Sequence, residues 1–192
     1  MRGCKALIIG GSAGSLGVLI KILPAIDTDL PFPIIIVIHR KKDRESLLSD
    51  LLSSKTTLMV KEVEEKEKIL PKTIYIVPSD YHLLIEKNFT FSLDYSEKIN
   101  YSRPSIDVTF QSAAEVYKDK LVCLLLSGSN ADGVNGLITI GNYGGEVAVQ
   151  DPLTAQIDYM PAQAIAKAKV NHILKIEEMA AYINSLIQTL KK

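Results

Sequence analysis

Three residues carry the chemistry a reader would look for first. Ser12 lies in Gly10-Gly11-Ser12-Ala13-Gly14-Ser15, directly after a short apolar run. His39 ends the β-branched run Ile34–Ile38, and Asp132 lies in Ser127-Gly128-Ser129-Asn130-Ala131-Asp132-Gly133 after another apolar run. A serine hydroxyl is a poor nucleophile until a base takes its proton; an imidazole can take it, and a carboxylate can orient and stabilise that imidazole. Each residue also has a plainer reading. The glycine segment fits a phosphate cradle at a helix N-terminus, a nucleophile elbow of Gly-x-Ser-x-Gly form, or a tight turn with a capping serine. Asp132 alone reads first as a helix N-cap, and an isolated histidine as structural.

Those residues matter only if the fold gathers them. Short β-branched runs alternate with segments of helical spacing, the pattern of a parallel sheet covered on both faces. Strands are expected at residues 6–9, Ile34–Ile38, 58–63, 73–77, 121–126, 146–149 and His172–Leu174. Helices are expected at residues 16–26, 46–53, from Pro104 to Tyr117, 133–140, 162–168 and 177–190. Residues 83–85 and 89–93 read as a hairpin around Lys87 and Asn88, and the charged stretch 62–68 as a solvated loop. The fold class is α/β: a doubly wound, mostly parallel sheet with helices on both faces and a hairpin added, one domain over residues 1–192. In such sheets ligands bind beyond the carboxyl ends of the strands, and Ser12, His39 and Asp132 all fall there.

Composition narrows the function. Twenty-two basic residues balance 22 acidic ones, so no overall field draws the chain to nucleic acid or an anionic membrane. No apolar stretch approaches the ~18 residues of a membrane span. Cys4 and Cys123 each sit in apolar runs and read as buried thiols of a protein in a reducing cytoplasm. No Cys/His cluster has metal-ligand spacing, and neither metal nor cofactor is expected. Arg40-Lys41-Lys42 after His39 keeps an NADP-binding reading open, although Gly10, Gly11, Gly14 and Gly17 lack the Gly-x-Gly-x-x-Gly spacing.

The sequence resembles the catalytic domain of CheB-type protein-glutamate methylesterases over nearly its whole length. The resemblance rests on short motifs in collinear order: Ile9 to Gly14; Val37-Ile38-His39; Tyr75-Ile76-Val77-Pro78-Ser79-Asp80-Tyr81-His82; Arg103-Pro104-Ser105-Ile106-Asp107-Val108; Ser127-Gly128 through Asp132-Gly133; Gln150-Asp151-Pro152; Tyr159-Met160-Pro161; and Ala164-Ile165. It implies a Ser–His–Asp triad of Ser12, His39 and Asp132. It also implies a serine-type hydrolase that demethylates glutamate methyl esters, and deamidates glutamines, on the cytoplasmic helices of chemotaxis receptors.

Ala13 is then the expected oxyanion donor, with Gly14, Ser129, Arg103 and Met160 as further candidates for the oxyanion site or substrate cleft. Arg103 and Ser105 could equally organise the turn before a helix, and Met160-Pro161 is expected to shape a loop near the site. His172 reads as structural, and His82 has no assigned role. Three segments depart from the family pattern: Ala13-Gly14-Ser15 for Thr-Gly-Gly, Gly128-Ser129-Asn130 for Gly-Met-Gly, and the basic Arg40-Lys41-Lys42-Asp43-Arg44 for a proline-rich stretch. A chain starting at the first strand is expected to lack the family's receiver domain and to rely on a separate receiver or signalling protein. The same departures keep a catalytically altered binding module as an alternative.

Overall fold

A computed structural model describes residues 3–40 and 45–188. Its strands are β1 (Ala6–Gly11), β2 (Ile34–Ile38), β3 (Met59–Glu62), β4 (Thr73–Ile76), β5 (His82–Ile85), β6 (Phe91–Asp94), β7 (Leu121–Leu125), β8 (Glu146–Gln150) and β9 (His172–Leu174). Its helices are α1 (Ser15–Ile22), α2 (Glu45–Ser53), α3 (Ile106–Tyr117), α4 (Val134–Asn142), α5 (Tyr159–Lys167) and α6 (Ile176–Gln188). Seven strands form one sheet in the order β3-β4-β2-β1-β7-β8-β9, all paired in parallel. The remaining two, β5 and β6, form the antiparallel hairpin.

The central strands are apolar on both faces because both are covered. One face of β1 and β2 (Leu7, Ile9, Ile34, Ile36) packs with Val18, Leu19 and Ile22 of α1 and with Met179 and Ile183 of α6. The other face (Ala6, Ile8, Ile35, Val37) packs with Phe110 and Ala113 of α3, Leu137 and Ile140 of α4, and the hairpin residues Leu83 and Phe91. Both cysteines are buried free thiols, and burial pushes the Cys4 thiol up to about 12.

From β1 the chain winds outward through β2, then crosses back to β7 on the other flank. The switch point of the sheet therefore lies between β1 and β7, where a crevice opens beyond the strand ends. Helix α3 reaches that crevice because β1 carries no side chain at Gly10: a Cβ there would lie 2.6 Å from Ile106 Cγ2 and 3.0 Å from Phe110 Cζ.

Several expectations are corrected. The first helix stops at Ile22 and continues as a 3-10 turn, Leu23–Ala25, because Pro24 cannot donate the next helical hydrogen bond. Helix α5 begins at Tyr159, so Met160 and Pro161 occupy its first turn rather than a loop; a first-turn proline forfeits no helical bond. The charged 62–68 stretch is not merely solvated. Val63 is buried, and Lys66 N–H donates to Phe91 C=O while Phe91 N–H donates to Glu67 C=O, which lays the stretch along the hairpin. The last residues of the closing helix expected to 190 lie outside the described residues.

Among the described residues, no helix is long and apolar enough to cross a membrane. The packing at Gly10 predicts that Gly10→Ala overpacks the β1–α3 contact, costing ~1–3 kcal/mol and lowering Tm by roughly 2–4 °C per kcal/mol. Gly17, on the exposed side of α1, has nothing within 4 Å of its Cβ position. Gly17→Ala is expected to hold or raise Tm, by about 0.4–1 kcal/mol of stability. Thermal unfolding of the two variants checks the contrast.

Candidate active site

Strand pairing brings the three residues to one rim. β1 and β2 run in register with Gly11 opposite Ile38, so Ser12 and His39 follow on neighbouring strands roughly 4.8 Å apart. His39 N–H donates to Gly11 C=O at 3.2 Å, and on the other side Ser12 N–H donates to Ser127 C=O at 2.9 Å. That second bond ties β1 to the loop that leads to Asp132.

Asp132 is fully buried and His39 is 13% exposed. Asp132 accepts four hydrogen bonds. His39 Nε2 (2.8 Å) and Ile106 N–H (2.7 Å) meet Oδ2; Ser105 Oγ (2.9 Å) and Asp107 N–H (3.1 Å) meet Oδ1. All the acceptor positions of an ionised carboxylate are thus used. Burial pushes the Asp132 carboxyl up, but the bonds from His39 and from the Ile106 and Asp107 amides outweigh it and hold the group below its ordinary range.

The N-cap reading of Asp132 was right in kind and wrong in place. Helix α4, which follows it, starts behind Gly133, whose φ is +97°. Asp132 instead caps α3, a helix 26 residues earlier in sequence. Ser105, the local N-cap residue of α3, makes no capping bond of its own, because its hydroxyl is given to Asp132. The glycine segment does turn tightly, Ser15 N–H donating to the Ser12 carbonyl at 3.1 Å, but no serine caps α1: the residue before it is Gly14, at φ +88°, and Ser15 Oγ donates to the Ser12 carbonyl at 2.5 Å.

With an ionised partner on Nε2, the ring proton of a neutral His39 sits on Nε2 and Nδ1 is left as an acceptor. Nδ1 faces Ser102 Oγ at 3.4 Å. Ala13 is exposed, and its N–H and that of Gly14 have no hydrogen-bond acceptor among the described residues. Ser127 Oγ lies 2.8 Å from the Ala13 carbonyl, fixing that peptide. Gly128 separates Ser12 from Met160: a Cβ on it would lie 3.1 Å from Ser12 Cβ and 2.5 Å from Met160 Cε.

Ser129 is exposed. Arg103 lines a cleft of about 490 Å³ with His39, Arg40, Asp80, Lys98, Tyr101 and Ser102. Its guanidinium is engaged: Nη2 is 2.7 Å from Asp80, Nη1 bonds the Tyr95 and Ser96 carbonyls, and the group stacks on the Tyr95 ring. It organises the turn before α3. His172 pairs with Glu146 at the far edge of the sheet, a structural place.

The glycine loop offers no open phosphate cradle at Gly14, where a Cβ would lie 2.6 Å from Ser127 Oγ and 2.8 Å from Gln156 Cβ. Arg40, part of the NADP reading, turns to Glu62 (2.5 Å) and the Val77 carbonyl (3.1 Å). Lys41, Lys42, Asp43 and Arg44 lie outside the described residues.

Sequence reasoning gave no role to several supports. His82 is buried; its Nδ1 accepts Ser105 N–H and its Nε2 donates to the Glu97 carbonyl, both at 3.0 Å, so it props the residue that holds Asp132. Gln150 is buried and accepts Ser127 N–H at 2.9 Å. Both stand in the motifs of the resemblance, which was the available signal. Ser102 carried none, whereas Asn130 stands in the segment Gly128-Ser129-Asn130 that departs from the family pattern.

Comparison with known proteins bears on the family and the fold. The family model described as CheB methylesterase matches residues 7–183. A Leptospira interrogans protein, provisionally named protein-glutamate methylesterase/protein-glutamine glutaminase, is 44% identical over 176 residues, covering 92% of this chain and 91% of its own. The Thermotoga maritima protein-glutamate methylesterase/protein-glutamine glutaminase is 35% identical over 173 residues, 88% of this chain and 50% of its own. This chain therefore spans nearly all of the first relative and about half of the second. The crystal structure of the Thermotoga maritima CheB methylesterase catalytic domain matches with a TM-score of 0.92 at 33% identity, covering 96% of this chain and 99% of that one. By the extent of these matches, and with the same α/β architecture around its switch point, the chain belongs to the CheB methylesterase family.

Proposed function

We propose that this protein hydrolyses glutamate methyl esters on the cytoplasmic helices of chemotaxis receptors, with Ser12 as nucleophile, His39 as base and Asp132 as its orienting carboxylate. The observation that carries the reading is the 2.8 Å contact between His39 Nε2 and a buried, fully hydrogen-bonded Asp132, beside Ser12 at the sheet's switch point. The family and the names of the relatives supply the substrate class.

Ser12 Oγ bonds to the ester carbonyl carbon while its proton passes to His39 Nδ1. The imidazolium is stabilised by Asp132 through Nε2–H. The oxyanion is met by the Ala13 N–H at the start of α1, where the helix dipole adds in the same sense. Collapse breaks the carbon–methoxy bond, and His39 returns the proton, so methanol leaves. Water, deprotonated by His39, then attacks the glutamyl-enzyme and frees glutamate and Ser12. A glutamine side chain follows the same route with ammonia as leaving group.

Methanol release from receptor membranes carrying methyl esters tests the assignment. Ser12→Ala and His39→Ala are each expected to lower kcat by on the order of 10⁶, and Asp132→Ala by on the order of 10⁴, because the aspartate acts only through the base. Equal release by wild type and Ser12→Ala would refute it.

The carboxylate also sets a pH dependence. Since the folded Asp132 titrates below its ordinary 3.8, its stabilisation is present above the unfolded pKa and lost as pH falls through the folded value. The Tm difference between wild type and Asp132→Asn is therefore expected to be widest near neutrality and to narrow below about pH 4. A difference independent of pH would mean the buried group is not ionised in the folded protein.

A further inference from the structure

Ser102 occupies a position the proposed reaction cannot ignore. It ends the tight turn 99–102, which is closed by Ile99 N–H to Ser102 C=O (3.2 Å) and Ser102 N–H to Ile99 C=O (2.9 Å). The two central residues have positive φ, +50° at Asn100 and +62° at Tyr101. Such a turn is compact and has few alternatives. Arg103 grips it from behind through Asp80 and the Tyr95 and Ser96 carbonyls. Ser102 Oγ is thereby held 3.4 Å from each of two acceptors, His39 Nδ1 and the Asn100 carbonyl, and 3.4 Å from Asn130 Nδ2, whose own Oδ1 accepts Asp132 N–H at 3.2 Å.

Nδ1 of a neutral imidazole protonated on Nε2 has a single lone pair. Ser12 must donate its hydroxyl proton to that lone pair. Ser102 already faces it, and no hydrogen bond joins the Ser12 hydroxyl to His39 among the described residues. The two hydroxyls compete for one acceptor.

We infer that Ser102 is a positioning residue that holds His39 in an unproductive resting hydrogen bond, which must break before Ser12 can be deprotonated. The inference rests on the Ser12–His39–Asp132 reading above. It fits the location of the turn: Tyr101 and Ser102 line the same cleft as His39, and Tyr101 is 98% exposed at its lip. A polypeptide entering the cleft would meet the turn first, and displacing it would free the base where substrate is present.

The test is the second-order rate at which a small fluorophosphonate labels Ser12, measured with kcat and KM for methanol release from methylated receptor membranes. Ser102→Ala is expected to label roughly three- to tenfold faster, the span for loss of one neutral hydrogen bond. Its KM for the receptor substrate should fall by a similar factor and its kcat stay unchanged, because the bond is broken as the substrate enters. Ser102→Thr, which keeps a hydroxyl, should restore the slow wild-type rate. Slower or unchanged labelling of Ser102→Ala overturns the inference, as does equal acceleration in Ser102→Thr, which would trace the effect to a loosened turn. Failure of the underlying reading is distinguishable. If Ser12→Ala abolishes labelling while Ser102→Ala labels no faster, only the competition fails; if wild-type Ser12 does not label at all, the triad fails with it.

Discussion

A buried carboxylate at the start of a helix it does not belong to organises this molecule's candidate site. Asp132 lies in the loop before α4, yet it answers the free amides of α3 and the hydroxyl of Ser105. Taking a carboxylate out of water costs several kcal/mol unless its acceptor positions are filled. Here they are filled by two helix N-terminal amides, one hydroxyl and one imidazole, and the dipole of α3 favours the charge. The charge on Asp132 in turn selects the tautomer of His39. Removing the helix end would leave a buried charge with three of its four hydrogen bonds lost, so the site and the packing of α3 stand or fall together.

Much of the surrounding structure serves that contact. Gly10 lets Ile106 and Phe110 close onto β1. His82 braces Ser105 from the hairpin side. Behind Asp132, Asp107 takes Gly136 N–H at 2.7 Å and thereby links α3 to α4; burial raises the Asp107 carboxyl, the Gly136 amide opposes this, and neighbouring Asp132 adds to the rise. The two carboxyls are therefore pushed in opposite directions by environments one turn apart: Asp132 has a helix end and an imidazole, Asp107 has burial and a like charge.

The cleft has a different character. Two of the cations in its walls are already paired, Arg103 with Asp80 and Arg40 with Glu62, and Lys98 lines it beside them. The turn carrying Tyr101 and Ser102 is anchored at its base by Arg103 and exposed at its tip. That combination suits an element that meets a polypeptide and reports to the imidazole beside it.

The amino-acid sequence alone determined the architecture. Runs such as Ile34–Ile38 are too short for helices and too apolar for edge strands, and their alternation with amphipathic segments leaves a doubly wound sheet as the consistent answer. It also determined that Ser12 and His39 directly follow strands and that Asp132 lies in the loop after another, because strand ends follow from local pattern. Boundaries were less legible where a long-range bond overrode local preference, as in the charged stretch drawn onto the hairpin. Only the tertiary structure decided which helix Asp132 caps, which imidazole nitrogen it takes, and that Ser102 faces the other one. Those are relations between segments 26 to 93 residues apart, and no local periodicity encodes the direction in which a side chain crosses from one strand end to another helix.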